Sequence, residues 1–326
     1  MAMLKVSDVI GLSQPVTKLI EVISNAFGTA YKPIDTILMA KAKSKEIEII
    51  SSAIKKNINL PLKYDDGKLL IDAASAEELI KRTGNRLVFQ EINKQQNIDS
   101  VINNAYENLK EEKTVSEEPV DKDWILRFFN SVEDISNEKM QKIWGKILAG
   151  EIKKPNTFSF RTLEVLKNLT QEEAQLFTEI SEFVMETKDL CFIPSNGNLL
   201  EKYGISYEKI LNLEESGLIN ARSIGLTNNI LPDEQTCINN NKLVCLFKVT
   251  SKVKQDIDIS VYQFTKAGIQ LLKIIDKKSN DTYAKDFFKQ IKVNNKSYLV
   301  TVHKINQITN DNDIECEDED LLIDVK

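Results

Sequence analysis

The chain has 326 residues, of which 42% are apolar and 28% charged, a balance that is ordinary for a globular protein and excludes wholesale disorder. Gly at 11 and Pro at 7 are too scarce for propellers, sandwiches or Gly-rich nucleotide-binding folds, so the composition leans helical. A formal net charge of -6 argues against a chain built overall to hold nucleic-acid phosphates, and a single histidine removes most metal and acid–base chemistry.

The length predicts two or three domains. Ser13 reads as an N-cap and Pro15 as a first-turn residue. Val16, Leu19, Ile20, Ile23 and Phe27 then form one apolar helix face. Pro33 opens a second helix carrying Ile34 to Ile54, with lysines at 41, 43, 45, 55 and 56, and the Asp65-Asp66-Gly67 turn closes this unit. Ser75 and Glu78 match a capping box. The helix they begin runs on without proline to Glu112, so about 30 residues or more, with Gly84 as a point of bending. Residues 111–120 are acidic, aperiodic and read as a linker.

Short, strongly apolar helices follow. Their anchors are Trp124, Phe128 and Phe129, then Met140, Trp144 and Ile147, then Leu163 and Leu166. Ser136 and Thr170 read as N-caps, the latter in a capping box with Glu173. Pro155 stops one helix and Ser159 caps the next. Glu151 and Arg161 flank that turn and are expected to pair across it.

Beyond residue 190 the period changes. Strands are expected at Cys191–Pro194, 242–249, 257–264 and 298–303, and residues 225–241 read as polar and Asn-rich. Residues 195–224 have the layout of a winged helix: two small helices, Gly217 as a C-cap, then a strand. Its second helix offers Glu208, Lys209, Glu214 and Glu215, which is poor chemistry for reading DNA. A basic wing carrying Lys248, Lys252 and Lys254 is the counter-argument. Thr265 caps a helix, residues 281–291 form another, and His303 reads as a structural histidine in the last strand. The cysteines Cys191, Cys237, Cys245 and Cys316 form no C-x-x-C pair and are expected as free thiols in a reducing cytoplasm. No P-loop, dinucleotide fingerprint or nucleophile elbow occurs, and Gly145–Gly150 ends in Gly-Glu rather than Gly-Lys-Ser. No catalytic residue, cofactor or metal ligand is therefore assigned. No run of 18 apolar residues spans a bilayer in the ordinary way, and Met1 to Val6 offer no long apolar h-region or cleavage site, so a cytoplasmic protein is expected.

The middle of the chain resembles a bacterial family of unknown function related to the abortive-infection alpha proteins. The residues that carry the likeness are Asp123-Trp124-Ile125, Phe128-Phe129, Asp134-Ile135-Ser136, Trp144, Ile147 to Ile152 with its Ala-Gly-Glu core, Pro155, Phe158-Ser159 and Arg161-Thr162-Leu163, with Gln95 to Ile98 upstream. The match covers roughly residues 90–185. It implies a link to phage defence or mobile elements and carries over no catalytic residues.

The expectation is thus a mainly α protein. Residues 1–112 form an N-terminal helical region with a long helix and 120–188 a helical core domain. Residues 189–308 form a winged-helix-like α+β domain and 309–326 an acidic disordered tail. The leading function is a non-enzymatic cytoplasmic phage-defence protein acting through self-association and a protein partner. A winged-helix DNA-binding regulator, and an effector that contacts a membrane surface through residues 9–54, rank below it.

Overall fold

Pro15 sits in the first turn of α1, Gln14–Phe27, where its missing N–H costs nothing. The computed structural model describes residues 13–27, 73–231, 234–249, 255–276, 278–294, 298–309 and 313–321. The second helix expected after Pro33, its lysines, the Asp65–Gly67 turn, and Lys252 and Lys254 of the wing lie outside these. The chain divides into two compact units, Met1–Leu163 and Glu164–Lys326.

In the first unit α1 buries Val16, Leu19, Ile20 and Ile23 of the apolar face read from the sequence, with Leu19 and Ile23 fully inside, while Phe27 at its end is exposed. Ser13 stands at the N-cap position, its carbonyl accepting from the Thr17 N–H and hydroxyl, but its Oγ is buried without a partner among the described residues and so caps no N–H. The long helix α2 runs Ala73–Leu109, 37 residues and about 55 Å. It begins before Ser75, so Ser75 and Glu78 lie inside it and do not cap it. It passes through Gly84 as one helix. Its downstream half buries Ile98, Val101, Ile102, Ala105 and Leu109.

Helix α3, Lys122–Val132, starts at Asp121, whose carboxylate accepts from the Trp124 N–H at 2.8 Å. Helix α4, Glu138–Lys153, starts at Asn137, not Ser136: the Asn137 Oδ1 takes the N–H groups of Lys139 and Met140. Polar groups align α2 with the α3–α4 corner. The Asn97 amide donates to the Glu133 carbonyl at 2.8 Å, and Ser100 donates to Gln141 at 2.6 Å. Gln141, almost fully buried, donates in turn to the Ile135 carbonyl at 2.8 Å. Helix α5, Phe160–Asn168, carries the chain into the second unit.

The second unit overturns the mainly α expectation. Helix α6, Gln171–Ser181, has the capping box between Thr170 and Glu173. Then come β1 (Met185–Glu186), β2 (Cys191–Pro194), α7 (Leu199–Lys202), α8 (Tyr207–Glu215), β3 (Ile219–Ile230), β4 (Gln235–Asn239), β5 (Leu243–Val249), β6 (Gln255–Phe264), α9 (Lys266–Leu272), α10 (Asp281–Asn294), β7 (Tyr298–Ile308) and β8 (Ile314–Cys316). The strands form one eight-stranded sheet in the order β3-β6-β2-β1-β4-β5-β7-β8, with every pairing antiparallel. The protein is therefore a mixed α and β fold in which helices still outweigh strands, with the sheet confined to the C-terminal unit. The helix–helix–strand layout of residues 195–224 is present, but it opens a sheet far larger than a winged helix implies.

Three pieces of that sheet escape a pattern reading. Strand β3 continues to Ile230 and β4 occupies 235–239, both within the polar, Asn-rich stretch. Strand β8 lies in the acidic stretch expected to be a disordered tail, and pairs with β7. These segments are held as strands by the strands that pair with their backbone, β6 for β3, β5 for β4 and β7 for β8. At the β4–β5 turn, Asn240 accepts from the Lys242 and Leu243 N–H groups, and Asn241 adopts φ +70°.

Helix α10 packs on β5 and β7 and buries Ala284, Phe287, Phe288 and Ile291, while its Tyr283 meets Phe183 and Tyr203 edge-on at 4.9 and 5.4 Å. Gly217, at φ +74°, ends α8 as read. The Thr265 hydroxyl donates to the Gly217 carbonyl at 2.7 Å and accepts from the Gly268 N–H at 3.1 Å, so one side chain joins the end of α8 to the start of α9. His303 sits in β7 with its Nε2 on the Thr301 hydroxyl at 2.8 Å.

Candidate functional site

Most of the residues singled out in the middle of the chain converge on one turn. Lys154, the residue before Pro155, is extended, as the proline ring requires, and this ends α4. Asn156 follows at φ +67°. The Glu151 carboxylate, 1% exposed, sits inside the turn. One oxygen accepts from the Asn156 N–H at 2.6 Å and the other from the Phe158 N–H at 2.9 Å, and the Thr157 N–H adds a third bond. The Trp124 indole donates to the Phe158 carbonyl at 2.7 Å. Phe128 stacks on Trp124 at 5.1 Å and meets Trp144 edge-on at 5.4 Å. Gly150 faces the Phe158 ring so closely that a Cβ would lie 2.8 Å from it. Ser159 accepts from the Thr162 N–H at 3.3 Å and so caps α5.

The ion pair expected between Glu151 and Arg161 is not formed. Arg161 is exposed, and Glu151 turns inward to the backbone donors that the positive-φ turn presents to it. An anion held by three N–H groups needs no cation. Each element of the Ala-Gly-Glu and Pro-x-x-Phe-Ser pattern is thus accounted for by packing or capping, and the cluster has no open face for a ligand.

Burial pushes the Glu151 carboxyl above the usual carboxylate range, against the pull of its three backbone donors. Its contribution to stability is therefore full below the ordinary value of 4.5 and declines as pH rises through the raised one. Glu151→Ala, which leaves three donors unpaired, is expected to cost about 3 kcal/mol at pH 4 and less at pH 7. Thermal melts of both proteins across that range check this, and a gap that widens with pH would contradict it.

The surface of α8 bears on nucleic-acid binding. Lys209, its one lysine, is held by Glu179 at 2.8 Å and by the Gly204 carbonyl at 3.0 Å. Glu214 accepts from the Ala221 N–H, while Glu208 and Glu215 are exposed. The helix presents no unpaired cation to a phosphate. In the first unit the apolar face of α1 packs toward α3 and α4, so the described part of the membrane-contact segment keeps no free apolar face for lipid. Among the described residues no helix is long and apolar enough to cross a membrane.

Two concavities flank the sheet of the second unit, and neither is legible in the sequence. One, of about 390 Å³, has an apolar wall built by Phe192, Ile238, Phe247, Ile257 and Ile259, with Lys188 and Asp189 at its rim. The other, of about 920 Å³, has Cys237, Leu246, Gln263, Ile269 and Ile314 among its walls. Cys237 and Ile238 point into different cavities, as successive residues of a strand must. The four cysteines are free thiols, and burial pushes Cys245 well above the ordinary thiol range, away from reactivity at neutral pH.

Residues 81–288 match the family described as a protein of unknown function (DUF2806). No curated protein and no solved structure matches the chain. The matched span takes in most of α2, the turn built around Glu151, and the second unit as far as Phe288 in α10. The chain belongs to this family of unknown function.

Proposed function

We propose that the protein is a non-enzymatic defence-type protein of the abortive-infection kind, acting through self-assembly and contact with a protein partner. The likeness of residues 90–185 to proteins related to the abortive-infection alpha group supports the defence context. The observation that carries the assembly is on α2. About eighteen residues make five turns of an α-helix, so Ile80 shares a face with Ile98, and Leu87 with Ala105. Downstream, that face is core: Ile98 is 6% exposed and Ala105 0%. Upstream, Leu87 is 45% exposed and Leu79, about 80° round the helix from it, is 44% exposed, while Phe89, at 67%, adds a third exposed apolar side chain on the other side of α2. A helix that continues its apolar stripe beyond its own core presents that stripe to another surface.

The chain is expected to be a dimer or larger at micromolar concentration by light scattering. The triple substitution Leu79→Gln, Leu87→Gln, Phe89→Gln should yield a folded monomer. In a bacterial host, the wild-type protein should lower phage plaque counts and the triple variant should not. A monomeric wild type would refute the assembly, and equal plaque counts with and without the wild-type protein would refute the defence role.

A further inference from the structure

The geometry points to a notch between Tyr207 and Tyr262 in the second unit as the site that receives one arginine side chain of a protein partner. This rests on the reading above that the protein acts through a protein partner, and it names the chemistry that partner must present.

The two rings lie with centroids 6.4 Å apart and planes inclined at 34°. Tyr207 opens α8 and is 50% exposed; Tyr262 stands on β6 and is partly buried. Between them is a space of about 40 Å³, closed on its other sides by Ser195, Gly197, Glu201 and Leu200. A cavity needs about 10–15 Å³ to admit one water, so this one has room for the end of a side chain. A guanidinium is of a size to enter it.

The charge of the rim selects a cation. Glu201 is exposed and has no ion-pair partner among the described residues. The neighbouring lysines are engaged elsewhere: Lys202 holds Asp286 at 2.6 Å and Lys209 holds Glu179. The phenol of Tyr262 is pushed up by burial, then by Tyr207 and the Glu201 carboxylate, which places that carboxylate's field on the ring. Two aromatic faces beside an uncompensated carboxylate favour a cation, and arginine over lysine, because a planar guanidinium can lie along a ring while donating to a carboxylate.

The test uses the full chain labelled with 3-fluorotyrosine, whose eight tyrosines report separately by fluorine NMR. Nα-acetyl-arginine methylamide is titrated, with the citrulline analogue as the neutral isostere. The Tyr207 and Tyr262 signals should shift saturably with a midpoint on the order of 10 mM, and the Tyr203 and Tyr283 signals should not. Glu201→Gln should weaken binding roughly threefold, and Glu215→Gln, the same charge change on the far end of α8, should leave it unchanged. No saturable shift, an equal shift with citrulline, or equal weakening by Glu215→Gln would overturn the assignment. Light scattering on the same samples reports assembly separately, so failure of the notch and failure of the assembly reading are told apart.

Discussion

Replacing Trp144 with alanine is expected to remove about 3–5 kcal/mol of stability and to leave most of the protein insoluble. The indole is fully buried and lies edge-on to Phe128, which itself stacks on Trp124. Nothing around it can collapse without moving α4. The two tryptophans differ, however, in their polar atom. Trp124 donates to the Phe158 carbonyl, whereas the Trp144 Nε1 is buried with no hydrogen-bond partner among the described residues. An unpaired buried donor costs about 1–3 kcal/mol, so Trp144→Phe gives back part of what it loses in packing. Trp124→Phe loses area and also strands a carbonyl at the turn. Chemical denaturation should therefore rank Trp144→Phe as the milder of the two by about 1–2 kcal/mol. The reverse order would mean that the Trp144 indole has a partner, such as a bound water. An unchanged melting temperature for Trp144→Ala would place the residue on the surface.

Gly145→Ala should destabilise by about 3 kcal/mol, although in an exposed helix the same change stabilises by about 1 kcal/mol. The reason is the crossing of α2 and α4. A Cβ on Gly145 would lie 2.4 Å from the Asn104 Cβ and 3.0 Å from the Ala105 backbone nitrogen. Neither atom can swing away, so the helices must part. Parting them loosens the Ser100–Gln141 and Asn97–Glu133 bonds that align α2 with the α3–α4 corner. A lower denaturation midpoint with an unchanged slope would show the simple loss of stability, since the slope tracks the surface exposed on unfolding. A stabilised variant would mean that the two helices do not touch at this point.

The helices of the first unit and their anchors are readable in the residues because helix signals are local. Spacing of three and four set the buried face of α1 and the burial of Trp124, Phe128 and Trp144. Proline and glycine punctuation set the ends of α4 and α8. Caps are read less well. Thr170 and Thr265 cap as expected, but Asn137 displaces Ser136 by one position, and Ser75 falls inside a helix that starts earlier. Each competing residue has similar chemistry, and the choice between them depends on where the preceding chain approaches.

Glu151 shows the same division within one side chain. Its place beside Pro155 is visible in the sequence, and pairing it with Arg161 is the natural reading of two opposite charges flanking a turn. The left-handed Asn156 instead aims successive N–H groups at the carboxylate, an arrangement no pattern of residue types records.

The sheet marks the limit of local reading. Leu243–Val249 and Gln255–Phe264 announce themselves through β-branched and aromatic residues, but β3, β4 and β8 are rich in Asn, Thr and acidic residues. They become strands because a neighbouring strand meets their hydrogen bonds: Leu226 opposite Ile259 on the more distant β6, and Thr236 opposite Phe247 and Ile305 opposite Cys316 across hairpin turns. A helix closes its hydrogen bonds within about four residues, so its sequence carries its own instructions. A strand closes them with whatever strand arrives beside it, and only the assembled sheet settled which polar stretches of this chain would be strands, which side chains would wall a cavity, and which two tyrosines would meet.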